Sequence, residues 1–145
     1  MSRRDWLLIF FGLKGSPHGI DPVRIQKGMF LFAMEGGVSD DETYDFRPYN
    51  YGPMASQIYS DVEALEAEGL IASANVPGHT WKRYRVTELG VTRARALRDG
   101  LLDRTAVHRL YEIKQSVMAR TFNALLSDVY DRYPNYASRS VFKRS

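Results

Sequence analysis

The sequence predicts a mainly helical α+β fold, built as one small domain that continues into a helical extension. Three observations predict it. Apolar residues recur every three or four positions along most of the chain, two β-prone runs flank a turn at Pro77–Gly78, and 145 residues provide a core for about one domain. We expect the domain to span residues 1–99, the extension residues 100–134, and a basic, loosely held tail residues 135–145.

The first helix is short and buried. Ser2 precedes it as an N-terminal cap with Asp5 three positions later, and the apolar run makes Trp6–Lys14 its body. Gly15–Gly19 follows as a loop because glycine and proline interrupt both helices and strands.

The second helix is expected to be the most buried element of the fold. Asp21 serves as its N-cap, Pro22 occupies the first helical position, and it ends near Glu35 before two glycines. Its C-terminal half is apolar on almost every side. Arg24 and Lys27 form its one polar stripe.

A short strand and a third helix come next. Tyr44–Phe46 alternates as a strand does, and Pro48 ends it. The third helix is predicted over Gly52–Glu68, with Gly69 as its C-terminal cap. Its buried face is the stripe Met54, Ile58, Val62 and Leu65.

A β-hairpin and a fourth helix complete the predicted domain. Leu70–Val76 and Trp81–Val86 are β-prone runs joined by Pro77–Thr80, which predicts an antiparallel pair. Thr87 then caps a helix that ends near Arg98. Helix, helix, helix and hairpin is the order of a winged-helix domain, in which the hairpin forms the wing.

The C-terminal extension is periodic over Leu101–Tyr133, and as one helix it is about 48 Å long, more than a small domain needs. It either breaks near Arg120–Thr121 or leaves the domain to pack on a second copy. The expected dimer interface is the stripe Leu110, Ile113 and Val117. In the competing arrangement, Phe122–Tyr133 folds back over the first helix; both can hold at once.

Several motifs resemble those of a known family. Arg24–Lys27 leading into Met29–Phe32, Phe46–Pro53 with its Tyr-Gly-Pro end, and Val129–Pro134 resemble segments of the Panacea (SocA-like) antitoxin domains and of YwgA-like small bacterial and archaeal proteins. Tyr84–Gly90 is similar to the end of the wing in many winged-helix regulators. The resemblance implies a winged-helix-like fold and a role in regulation or in neutralising a partner, which is DNA or protein.

Charge is distributed unevenly along the chain. Residues 51–80 contain four acidic side chains and no lysine or arginine, whereas residues 81–145 have a net charge of +8. This asymmetry favours a polyanion or an acidic protein surface as the partner. Cysteine is absent, and Trp6–Leu13 is the longest uncharged apolar run, too short to span a membrane. We therefore expect a cytoplasmic protein without a secretory signal or membrane contact.

Catalysis, metal binding and cofactors are not expected. His18, His79 and His108 lie far apart, and none has a second ligand at helical spacing. Asp40–Glu42 is expected to be a solvated acidic loop rather than a cation site. The chain has no glycine-rich phosphate loop, and Ser16, Ser56 and Ser60 have no adjacent base of the kind that a nucleophile needs.

The first functional hypothesis is a dimeric winged-helix DNA-binding regulator. Cations of the wing neutralise phosphates, and the exposed start of the third helix enters the groove. The candidate DNA-binding residues are Ser56, Gln57, Tyr59, Ser60, His79, Lys82, Arg83 and Arg85. Against it, the third helix lacks Lys and Arg, and its glutamates repel the DNA backbone. Arg83 and Arg85 are equally able to pair with those glutamates inside the chain.

The second hypothesis is a protein-binding winged-helix module, acting as an antitoxin-type neutraliser of a toxin or as a subunit of a complex. Its acidic third helix and an aromatic groove contact the partner. The candidate partner-binding residues are Tyr49, Tyr59, Glu63 and Glu66. Phe46 and Tyr51 are instead expected to fill the seam between the second and third helices.

Overall fold

The computed structural model describes residues 1–142, which form six α-helices and two separate two-stranded antiparallel sheets. The mixed α+β class is therefore confirmed. The helices are α1 (Arg3–Gly12), α2 (Pro22–Glu35), α3 (Ser56–Ala67), α4 (Glu88–Asp99), α5 (Thr105–Ala119) and α6 (Phe122–Arg132). The strands are β1 (Arg47–Tyr49), β2 (Gly52–Met54), β3 (Ile71–Asn75) and β4 (Lys82–Val86). No helix in this part of the chain is long and apolar enough to cross a membrane.

The helix starts predicted from capping residues are confirmed. Ser2 and Asp5 form a reciprocal capping box on α1, so this helix begins earlier than its apolar run. Asp21 accepts a hydrogen bond from the backbone N–H of Arg24, and Thr87 accepts one from Gly90. Each cap satisfies a backbone donor that has no partner within its own helix.

The segment before α3 differs from the prediction. Tyr44–Phe46 is not a strand, and Gly52–Met54 is a strand rather than the first turn of α3. Pro48 lies opposite Pro53 in a β1–β2 hairpin, an arrangement that a two-stranded ribbon tolerates because both strands are edges. Gly52 has a φ of +90°, which permits the tight turn between the strands.

The predicted β3–β4 hairpin is confirmed, with Ile71 opposite Val86 and Asn75 opposite Lys82. A third segment joins it from the loop before α2. Ile20 and Tyr84 exchange two backbone hydrogen bonds, of 2.7 Å and 3.0 Å. Ile20 is fully buried, so this bridge fixes the hairpin against the core.

The C-terminal helix breaks at Arg120–Thr121, as one of the two predicted arrangements requires. The predicted dimer stripe needs correction, because Leu110, Ile113 and Val117 are buried within the chain. Helix α5 packs against α1 and α2 and places these side chains in the shared core. A homodimer would therefore need another surface.

The lid over α1 also differs from the prediction. Helix α4 packs along α1, whereas α6 contacts β2 and the turn at Pro134–Ala137. The part of the tail within the described residues is packed rather than loose: the Tyr136 ring lies edge-on to Phe30 at 4.7 Å, and the backbone N–H of Val141 donates to Asn50. Residues 143–145 lie outside the described part of the chain.

Candidate functional site

One face of α3 is exposed and polar. Ile58, Val62 and Leu65 are buried against the core, and helical periodicity therefore turns the intervening residues to solvent. The exposed residues include Ser56, Gln57, Tyr59, Ser60 and Glu63, as predicted. Predicted core residue Met54 instead lies on β2 and is only half-buried.

The β3–β4 hairpin has an exposed cationic surface. Its four predicted DNA-binding residues are all exposed: His79, Lys82, Arg83 and Arg85. Trp81 organises two of them, since its ring lies 4.7 Å from that of His79 and 6.0 Å from the Arg83 guanidinium. The Arg83 guanidinium is attracted to the face of the ring and is still exposed to an anion on the solvent side.

Two of the three glutamates in α3 and at its C-cap contact residues other than the hairpin arginines. Glu66 accepts a hydrogen bond from Ser73, and Glu68 pairs with Arg4 at 2.7 Å. Within residues 1–142, no ion pair joins Arg83 or Arg85 to a carboxylate. The expected alternative of internal pairing is therefore not observed, and both guanidinium groups remain available.

Three tyrosines line a cleft between α2, the β1–β2 hairpin and α3. Tyr49, Tyr51 and Tyr59 are each about half exposed, at 50%, 46% and 49%, and surround a volume of about 100 Å³. The structure thus brings together Tyr49 and Tyr59, which were predicted to bind a partner. A neighbouring cleft continues past Tyr59 to Glu63 and Tyr84.

The aromatic residues expected in the seam behave differently from each other. Phe46 is partly buried and packs edge-on against Phe30 at 5.4 Å, as predicted. Tyr51 does not fill the seam, because its ring extends to Phe122 of α6 at 5.7 Å.

Two buried polar residues of α2 hold this cleft in place. The Gln26 side chain donates to the Ala55 carbonyl at 3.1 Å and accepts from the Ala55 N–H at 2.9 Å. The Lys27 amine donates to the Pro53 carbonyl at 2.9 Å. The predicted polar stripe is therefore wrong for Lys27, which is buried beneath the hairpin. The Gln26-Lys27 motif and the Tyr51-Gly52-Pro53 motif therefore contact each other, through the Lys27–Pro53 hydrogen bond.

The buried lysines predict a pH-dependent stability. Burial lowers the pKa of Lys27, and that of Lys114 on α5, to about 7 from 10.5. Between these values the unfolded state binds more protons than the folded state, so the free energy of unfolding rises with pH, by up to about 1.4 kcal/mol per pH unit for each lysine. We expect Lys27→Met to leave about half of this slope in urea unfolding between pH 7 and about pH 9. If Lys27→Met leaves the slope unchanged, the lowered pKa of Lys27 is contradicted.

The described residues contain no group of side chains suited to a metal ion. His18, His79 and His108 stay apart, on a loop, the hairpin turn and α5. In the acidic turn, Glu42 accepts from the N-terminal amine at 3.1 Å and from the Trp6 indole at 3.2 Å. These donors hold the pKa of Glu42 below its usual range, although burial opposes them.

No family model matches the chain, and no curated protein is significantly similar to it in sequence. Functional inference therefore depends on the geometry of the two surfaces described above: the cationic hairpin with the exposed face of α3, and the tyrosine cleft.

Proposed function

We propose that this chain is a small, non-enzymatic winged-helix regulator that binds DNA. The order α1, Ile20 bridge, α2, α3, β3 and β4 supports a winged-helix assignment, because Ile20 supplies a third strand-like segment beside the hairpin. The β1–β2 hairpin is then an insertion between α2 and α3. In this arrangement the β3–β4 hairpin is the wing.

The observation that carries the proposal is the set of exposed hairpin cations, Lys82, Arg83 and Arg85, which have no carboxylate partner within residues 1–142. They lie next to α3, since Ser73 of β3 bonds to Glu66 and Tyr84 of β4 shares a cleft with Tyr59. In the proposed complex Lys82, Arg83 and Arg85 contact phosphates while the N-terminal half of α3 faces base edges. The glutamates lie farther along α3, away from the end that enters the groove.

The test is the salt dependence of binding to duplexes tiled across the DNA upstream of the coding sequence. Fluorescence anisotropy should show an affinity that falls linearly on logarithmic axes as salt increases. One duplex should bind more tightly than a scrambled duplex of the same composition. If no duplex binds at low salt and micromolar protein, the regulator assignment fails.

Gln57 is expected to contribute sequence preference rather than general affinity. Its amide oxygen accepts a hydrogen bond from Arg3 at 2.9 Å, which orients the side chain, and its amide nitrogen has no partner within residues 1–142. Gln57→Ala should cost on the order of 1–3 kcal/mol at one base pair of the preferred duplex. The affinity for the scrambled duplex should hardly change. An equal loss on both duplexes would show that the side chain does not read a base.

A second candidate function is a protein-binding module of the antitoxin or complex-subunit type. The tyrosine cleft favours it, because half-exposed tyrosines are enriched at the energetic centres of protein interfaces. Glu63 extends this surface and supplies negative charge. A partner segment with apolar and basic side chains fits both properties.

Photo-crosslinking from the cleft distinguishes this candidate. Tyr59→benzoylphenylalanine in the producing cell should crosslink one defined protein, and the additional change Glu63→Lys should abolish that product. Tyr111 is an exposed tyrosine on α5, 42% accessible, and serves as the control position. The candidate fails if both positions give the same crosslinks.

A further inference from the structure

A second cationic surface lies between α4 and α5, apart from the residues assigned to DNA. The cleft has a volume of about 480 Å³, within the range of small-molecule sites. Its cationic residues are Arg95 and Arg98 on α4 and Arg104 at the start of α5, and His108 lies one turn later. Asp99 is the one carboxylate that residues 1–142 contribute to the lining of this cleft.

The positive charge of this cleft is largely uncompensated. Asp99 pairs with Arg104 at 3.4 Å, with both side chains more than half exposed. An exposed pair of this kind is weak and is readily replaced by a stronger anion. Neither Arg95 nor Arg98 has an ion pair within the described residues, so an excess of cationic charge faces the cleft.

Arg98 has an unusual donor. Its Nε is shielded from solvent and has no hydrogen-bond partner within residues 1–142. A shielded N–H without an acceptor is costly. The Arg98 side chain lines the cleft, and the other N–H groups of its planar guanidinium form a fork that matches phosphate geometry.

The remaining lining of the cleft is apolar and aromatic. Leu13 and Val107 line it, and Tyr111 presents a ring that is 42% exposed. An exposed ring beside arginines provides a flat surface for a planar group. A ligand that pairs with the arginines and also stacks on Tyr111 has several negative charges and a planar ring.

We propose that the cleft between α4 and α5 binds a nucleoside polyphosphate, with its phosphates on Arg95, Arg98 and Arg104 and its base against Tyr111. The site is separate from the hairpin and from the tyrosine cleft, and its occupancy does not depend on the proposed DNA binding. The proposed ligand of this cleft is a small molecule, whereas the hairpin is proposed to contact the phosphates of duplex DNA.

Isothermal titration with ATP tests the proposal directly. The natural chain should bind ATP, and Arg95→Ala with Arg104→Ala should weaken binding at least tenfold. Both residues are exposed, so this variant preserves the core. The matched control is Lys82→Ala with Arg83→Ala, which removes the same charge from the hairpin and should retain ATP affinity. Equal losses in the two variants would overturn the site, and so would the absence of binding at millimolar ATP.

Two further measurements test the two ends of the ligand separately. Inorganic tripolyphosphate should bind at least tenfold more weakly than ATP, and Tyr111→Ala should reduce ATP binding to the tripolyphosphate level. Tripolyphosphate binding as tightly as ATP would overturn the nucleoside assignment. Arg98→Lys keeps the positive charge but removes the planar guanidinium with its forked N–H donors. This variant should bind ATP more weakly than the natural chain. Unchanged affinity would overturn the role of Arg98.

Discussion

Replacing Lys82, Arg83 and Arg85 with alanine should weaken DNA binding on the order of 100-fold at about 0.1 M salt. All three side chains are exposed on β4 and have no carboxylate partner within residues 1–142. If each contacts one phosphate, the slope of log K against log salt falls by about 0.9 for each residue. Because phosphate contacts carry no base information, preferred and scrambled duplexes should lose affinity equally.

The matched control for this variant removes the same charge from another surface. Lys14, Arg93 and Arg95 are exposed on or beside α1 and α4, and none forms an ion pair in the described part of the chain. Their triple alanine variant should keep most of the salt slope. If it loses as much slope as the hairpin variant, net charge rather than the hairpin determines binding, and the wing assignment is wrong.

The parts of the fold that local chemistry determines were predictable from the sequence. Ser2, Asp21 and Thr87 mark helix starts because each cap satisfies backbone donors within a few residues. Gly69 ends α3 with a φ of +75°, and Leu70 then donates to the Leu65 carbonyl, the pairing that closes a helix before a left-handed residue. These interactions span a few positions, so spacing alone reveals them.

The β1–β2 hairpin was not predictable in the same way. Pro48 and Pro53 both argue against strands, and here they lie opposite each other. Contacts from distant parts of the chain stabilise the hairpin: Lys27 donates to the Pro53 carbonyl and the Val141 N–H donates to Asn50. Tertiary contacts of this length leave no periodic signal.

The candidate site shows the same division. The exposure of His79, Lys82, Arg83 and Arg85 follows from their place in a hairpin, and it was predicted. Leu110, Ile113 and Val117, which the sequence predicts as a dimer interface, are buried within the chain. An apolar stripe on a helix looks the same in sequence whether its partner is α2 of the same chain or a second copy. The α4–α5 cleft was missed because its arginines come from two helices.

Lys114→Met should lower the free energy of unfolding by roughly 2–4 kcal/mol, a large part of the roughly 5–15 kcal/mol of an ordinary domain. The amine is fully buried on α5 and donates to the carbonyls of Phe10, Phe11 and Leu13 at the end of α1. These carbonyls lack helical partners because α1 ends at Gly12. Methionine fills a similar volume but provides no donor, so three buried acceptors lose their hydrogen bonds.

Two opposing effects set the size of this loss. Burial lowers the pKa of Lys114 to about 7, which reflects the cost of desolvating the charge, and methionine removes that cost. Below about pH 7, where the amine of the folded chain is protonated, three carbonyl oxygens nevertheless match its three donors, and the negative end of the α1 dipole adds to the attraction. Because three unsatisfied carbonyls outweigh one desolvated amine, the net effect remains destabilising.

The control for Lys114→Met is Lys14→Met, at an exposed lysine next to the same helix end. A surface change of this kind should stay within about 0.5 kcal/mol of the natural chain in urea unfolding. Lys114 also holds the end of α1 through its bond to Leu13. The chain continues from there to Ile20, which pairs with Tyr84 of β4. The loss of Lys114 should therefore increase amide exchange at Tyr84, whose N–H donates to the Ile20 carbonyl. If both methionine variants unfold at the same urea concentration, the carbonyls of α1 do not depend on Lys114.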